Sequence, residues 1–131
     1  GAGGFHGGRG EFMGVGTREG HEFDIQAMFD RVDHPARGRR CGEAGAATTI
    51  AQDDGAKMKG KGKQFVPHGR RVLMAFPGGA GYGAPALRAK ADVARDLALG
   101  YITEAFARQH YNMDPAEIAD VQARAKRGDV F

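Results

Sequence analysis

The sequence predicts an α+β fold: a strand-rich body with glycine-rich loops over residues 1–85, then a C-terminal helical tail over residues 86–131 that packs on the body as one domain. Three observations predict it. Apolar residues alternate with a period of two in the first third. Short apolar runs in the middle are closed by Gly or Pro. From Ala86 onward the apolar spacing lengthens to three and four, with cap residues at the boundaries.

Each element follows in order. "EFMGV" alternates, and "HEFDIQAMF" puts Phe23, Ile25, Ala27 and Phe29 on one face, which His21 would join at the strand start. Between these runs "REGH" predicts a hairpin turn, with Gly20 supplying an unusual φ. Residues 30–47 are rich in Arg and Gly and contain Pro35, so they read as loop. "TTIAQ" is a short strand, "DDG" a turn, and "RRVLMAF" a strand that runs into "FPGGAGYGAP". The sheet is expected to be antiparallel or mixed. In the tail, Leu87, Val93 or Ala94, Leu97 and Ala98 share one stripe, and Gly100 stops that helix. Thr103 caps a second helix. Asp114, Pro115 and Glu117 form a capping box with proline at the first helical position, followed by Ile118, Val121 and Ala125 on one face and Gly128 at the end.

Composition narrows the function. Glycine is 22 of 131 residues, far above the roughly 7% of average proteins, and without the strict period of collagen. The formal charge of +3 is a weak argument for a polyanion partner. The single Cys41 excludes an internal disulfide and fits a reducing, cytoplasmic setting. No apolar run approaches a membrane span, so no membrane partner is expected. The opening "GAGGFHGGRGEF" reads as the interior of a longer protein, and the chain is expected to be a C-terminal piece.

Serine is absent, which removes a Ser-His-Asp triad. The histidines 6, 21, 34, 68 and 110 have no metal-ligand spacing, so no metal site is expected. Asp30, Asp33 and His34 share a loop, but an ordinary solvated loop explains them. Arg39 and Arg40 flank Cys41 without a base nearby, which leaves a plain thiol. Lys57, Lys59, Lys61 and Lys63 would form one positive stripe on a strand. Aromatic interleaving is missing apart from Phe65, so the stripe reads as an edge that resists strand pairing, and no nucleic-acid partner is expected.

The glycine runs are the chemical candidates. "GGAGYG" lacks both the Walker ending and the dinucleotide spacing. It remains either a ligand-lining anion nest or a structural or interface corner. Gly3, Gly7, Gly8, Gly10, Gly78, Gly79, Gly81 and Gly83 are the loop or interface positions. His6, Arg9 and Tyr82 project from those loops as candidate catalytic or binding side chains, with Arg9 suited to a carboxylate or phosphate.

The order of these pieces resembles the C-terminal part of the hydantoinase B family, which includes the B-type half of 5-oxoprolinases. "GAGGFHGGRGEF" is similar to the family's glycine-rich entry, and "GRRCGEAGA" to the loop after its second strand. "FPGGAGYGAP" is similar to a Pro-Gly-Gly-Gly-Gly-Tyr-Gly-Asp-Pro segment, with Ala80 in place of a glycine and Ala84 in place of the aspartate. "ADVARDLALGYITEAFARQHYNM" resembles the helical tail that follows, so the likeness covers residues 1–113. The resemblance implies work with a hydantoinase A-type partner that binds ATP. Together they would open a cyclic amide such as 5-oxoproline or a hydantoin through a phosphorylated intermediate; related assemblies carboxylate ketones, so the alternatives are a subunit piece of such an ATP-dependent ketone carboxylase or a non-catalytic scaffold or interaction module. It implies ATP and a divalent metal in the full complex, none of them held by this chain alone. It also implies that the N-terminal remainder of a B-type subunit is a partner of these loops.

Overall fold

The computed structural model describes residues 1–129. The chain divides into two compact units, one of residues 8–37 and 44–79, the other of residues 1–7, 38–43 and 80–131.

The first unit holds the five strands: β1 (Glu11–Val15), β2 (Phe23–Met28), β3 (Thr49–Gln52), β4 (Lys61–Val66) and β5 (Val72–Phe76). They form two antiparallel sheets, one ordered β1-β5-β3 and the other β2-β4. The alternation in β2 is real: Ala27 is buried and Phe23 and Ile25 half-buried, while Asp24, Gln26 and Met28 are exposed. Ile50, Val66, Val72 and Met74 form the core, with Phe23, Ile25, Phe29, Val32, Met58 and Phe76 packed on it. Thr48 ties down the long loop, its hydroxyl donating to the Asp30 carbonyl at 2.8 Å and its amide to the Arg31 carbonyl at 2.9 Å.

The expected β1–β2 hairpin is corrected. Gly20 does take φ 74°, but Glu19 before it also takes φ 63° inside a 3-10 turn, and β1 and β2 lie in different sheets. β1 pairs with β5 in register Met13 to Met74, and β2 with β4 in register Ile25 to Gln64. Pairing follows which partner completes a buried face, which local turn chemistry does not reveal. The single lysine stripe is corrected too. Only Lys61 and Lys63 lie on a strand, and each meets a carboxylate, Asp30 at 2.7 Å and Asp24 at 2.9 Å. The Lys59 backbone is instead clasped by the Gln64 amide side chain.

The second unit carries α1 (Lys90–Ala98), α2 (Glu104–Tyr111) and α3 (Pro115–Lys126) after a 3-10 turn at Pro85–Leu87. Leu97, Ile118 and Val121 pack together with Ala94, Ala98, Ile102 and Met113. Thr103 accepts from the Phe106 amide, and the Asp114–Glu117 capping box is complete. Gly100 and Gly128 follow α1 and α3 with φ 69° and 79°. Leu87 is a correction: Arg88 and Ala89 are extended, so α1 begins only at Lys90 and Leu87 falls out of phase, 79% exposed.

The same unit contains a weave of three glycine-bearing segments, residues 2–5, 38–43 and 81–83. The Glu43 amide donates to the Ala2 carbonyl at 2.8 Å, and the Gly81 amide to the Glu43 carbonyl at 2.9 Å. Phe5 and Tyr82 exchange backbone bonds at 2.9 Å in both directions. A Cβ on Gly81 would lie 1.8 Å from the Ala2 carbonyl oxygen, so only glycine lets these backbones approach. In the strand unit the same reason holds for Gly78, where a Cβ would lie 1.9 Å from the Gly8 carbonyl oxygen.

Candidate functional site

The helices of the second unit fasten the weave through buried polar contacts. Asp96 lies on the inward face of α1, one position before Leu97, with its side chain only 5% exposed. Arg88 donates from Nη2 to Asp96 Oδ2 at 2.5 Å. His6 Nε2 approaches the same oxygen at 3.2 Å, and His6 Nδ1 lies 2.6 Å from the Gly7 carbonyl. A carbonyl only accepts, so the proton there sits on Nδ1, and Nε2 bonds the carboxylate only as the doubly protonated ring. One buried carboxylate oxygen thus gathers a guanidinium and an imidazole, which offsets part of the cost of removing it from water.

Two further links run from α2. His110 Nδ1 meets Glu43 Oε2 at 2.5 Å, with the Phe106 ring centroid 4.2 Å from the imidazole. The Tyr111 hydroxyl lies 3.5 Å from both the amide and the carbonyl of Gly3, and burial holds the phenol above its ordinary pKa. The Arg88 guanidinium carbon stands 5.9 Å from the Tyr111 ring centroid.

Above this base the weave displays apolar side chains. Phe5 is 73% and Tyr82 52% exposed, with ring centroids 6.5 Å apart. Leu87, also exposed, has its Cβ beside Gly4.

The residues singled out from the sequence therefore separate. His6, Tyr82, Gly3, Gly7, Gly81 and Gly83 belong to the helical unit, and Arg9, Gly8, Gly10, Gly78 and Gly79 to the strand unit. His6 is held by Asp96, Tyr82 stands in the aromatic pair, and Arg9 is exposed. Asp96, Arg88, Glu43, His110 and Tyr111 were missed. One signal was available for Asp96: a carboxylate beside Leu97 and three residues after Val93 falls on the apolar stripe of α1. The partners of Glu43 and His110 are 67 positions apart and leave no local trace.

The anion-nest reading is excluded for the segment after β5. The amides of Gly79, Gly81, Tyr82 and Gly83 already donate to the carbonyls of Gly8, Glu43, Phe5 and Arg39, so they do not converge on a phosphate. Among the described residues, no group of three or more His, Cys, Asp or Glu is placed to hold a metal ion. Among the same residues no helix is long and apolar enough to cross a membrane.

Residues 1–85 match the family described as hydantoinase B/oxoprolinase. A solved structure titled "Mechanism of ATP-Dependent Acetone Carboxylation, Acetone Carboxylase nucleotide-free structure" is similar to 70% of this chain at 20% identity, with a TM-score of 0.41. The chain spans 18% of the length of that protein's chain. No curated protein matches the sequence. The family match takes in both glycine-rich runs, the loop at Cys41 and all five strands, and on that match the chain belongs to the hydantoinase B/oxoprolinase family.

Proposed function

We propose that this chain is the C-terminal portion or a small subunit of a hydantoinase B-type enzyme. It contributes to ATP-dependent opening of a cyclic amide, 5-oxoproline or a hydantoin, in complex with an A-type ATP-binding subunit and the N-terminal remainder of a B-type chain. The observation that carries this reading is the family match over residues 1–85. ATP and the divalent metal would be held elsewhere in the complex; in support, the amides of Gly79, Gly81, Tyr82 and Gly83 are engaged by backbone carbonyls, and no metal-ligand cluster stands among the described residues.

The part left to this chain is to present a rigid contact surface. Buried ion pairs and close-packed glycine backbone fix the weave, and Phe5, Tyr82 and Leu87 stand out from it as anchors of the kind that fill a partner's pocket. Arg9 is the proposed contact to a carboxylate or phosphate. His6, engaged by Asp96 and the Gly7 carbonyl, orients the loop.

The test replaces Phe5, Tyr82 and Leu87 with serine in the full complex. All three are exposed, so the isolated chain should stay within about 0.5 kcal/mol per site of its original stability. Co-purification of the A-type and B-type partners, and turnover, should fall at least tenfold. Unchanged assembly with unchanged turnover would refute the contact role.

A further inference from the structure

The two edges of the sheet β1-β5-β3 are finished differently. Beyond β3 the chain covers its own edge: the Gln52 amide donates to the Ala56 carbonyl at 2.8 Å, and the Met58 amide to the Ile50 carbonyl at 3.0 Å. Ladder bonds alternate along an antiparallel strand, so β3 turns its odd-numbered positions to β5, and the chain just beyond it follows suit, the Asp53 amide donating to the Arg71 carbonyl at 3.0 Å. The same alternation carried across β5 gives Glu11, Met13 and Val15 the bonds to Phe76, Met74 and Val72. The amides and carbonyls of Phe12 and Gly14 therefore point outward, and neither residue has a backbone bond elsewhere among the described residues.

This edge lacks the usual protections against strand pairing. β1 holds no Pro and no Lys, and its register with β5 runs without a bulge. Met13 and Val15 share a face with the buried Met74 and Val72 yet are 43% and 38% exposed, so the core face runs out uncovered at β1. Phe12, on the opposite face, is 71% exposed. On that opposite face Gly14 and Gly16 leave bare backbone beside Leu73 and Arg71. A Cβ on Gly14 would lie 3.4 Å from Leu73 Cδ2, and one on Gly16 would lie 3.0 Å from Arg71 Cγ. A cavity of about 250 Å³ opens at Gly16, with Thr17, Gly20, Gly69, Arg70 and Arg71 as its other walls. Glu11 at one end of β1 and Arg18 just past the other have no ion-pair partner among the described residues.

We propose that the open β1 edge docks a second copy of this chain, the two β1 strands pairing antiparallel about a two-fold axis at Gly14. In that register Phe12 faces Gly16 of the second copy, Met13 faces its Val15, and Glu11 faces its Thr17, each contact made twice. The outward backbone groups of Phe12 and Gly14 then meet the outward groups of Gly16 and Gly14 across the axis. The Phe12 ring covers a glycine, which shields bare backbone, and lies against the Arg71 guanidinium, which has no acidic partner among the described residues. Met13 and Val15 close the open end of the core face as cross-strand pairs. Glu11 lands beside Arg18, so the unpaired anion of each copy meets the unpaired cation of the other. An axis at Met13 would instead set Glu11 against Val15. The edge carries both halves of its own complement, which selects a second copy over an unrelated strand. A five-residue edge is small beside the roughly 800 Å² per partner of a standard interface, so the dissociation constant is expected at about 100 μM. The dimer lies in the strand unit and does not rest on the functional reading above.

Sedimentation equilibrium of the full chain, from about 10 μM to about 1 mM, brackets that constant by a decade on each side. The expected result is a rise from 13.9 kDa toward twice that mass. Phe12→Lys should weaken the dimer by roughly tenfold with an unchanged circular dichroism spectrum. Glu11→Arg and Arg18→Glu should each weaken it about fivefold, and the double variant should recover it. Hydrogen exchange at the Phe12 and Gly14 amides should slow as concentration rises. Serine at Phe5, Tyr82 and Leu87 together should leave the dimer intact, which separates this interface from the contact surface proposed above. A mass of 13.9 kDa at every concentration, the result expected if a strand of another protein fills this edge, would overturn the proposal. So would a dimer that Phe12→Lys or the single charge reversals leave unchanged, one that leaves the Phe12 and Gly14 amides unprotected, or one lost with the three serines.

Discussion

Asp96 is the residue on which the helical unit depends most. It is buried, shared between Arg88 and His6, and contributed by a helix whose neighbouring positions are core. Asp96→Asn leaves Arg88 buried without its counter-charge, and breaking such a pair costs about 3–5 kcal/mol. Urea denaturation should show that loss, and replacing both partners by apolar residues should cost less than the sum of the single changes. Little of this was legible. The sequence marks His6 as a side chain standing between glycines, and the structure explains its place by a carboxylate 90 positions away. The glycines were legible as a requirement and not as a cause: their count shows that backbone must approach something, and the weave shows that the something is other backbone. Arg9 kept its place as an exposed cation, whereas Tyr82 gained a partner in Phe5.

At the scale of elements, local signals worked where the chemistry is local. The α3 start was readable from Asp114, Pro115 and Glu117, because a capping box is made within four residues. β1 and β2 were readable from alternation and β3 and β5 from short apolar runs, whereas β4 lay in a stretch read only as basic; the partners were not readable, since β1 and β5 are separated by most of the unit that they stabilise. Helix α3 also carries a pH prediction. The Lys90 hydrogen bond, then the bond from the Asp114 amide, hold the Glu117 carboxyl below its ordinary value of 4.5. The folded state therefore favours the carboxylate. That contribution is in place above about pH 4.5 and is lost as pH falls through the lowered value. The Lys90 ammonium is raised above 10.5 by the same bond, so its share is in place below that pH and is lost as pH rises through the raised value. The stability difference between the parent chain and Lys90→Met should thus be level from pH 6 to 9 and shrink on acidification below pH 4.5. Urea midpoints across that range measure it, and a difference unchanged at pH 3 would contradict the pairing.

For the whole molecule, the fold class was legible because periodicity switches once, from two to three and four, at the end of the glycine-rich segment. The family was legible because the order of three glycine-bearing passages is more specific than any one of them, and the match over residues 1–85 agrees. Substrate and partners belong to the assembly that the chain is proposed to join. The account's central claim is that this chain works inside a hydantoinase B-type complex. Native mass spectrometry of the material that a tag on this chain pulls from its source tests that claim most directly. The account predicts a large assembly containing the remainder of a B-type chain and an ATP-binding A-type subunit, which falls apart when Phe5, Tyr82 and Leu87 are replaced. A free particle of 13.9 kDa would contradict it.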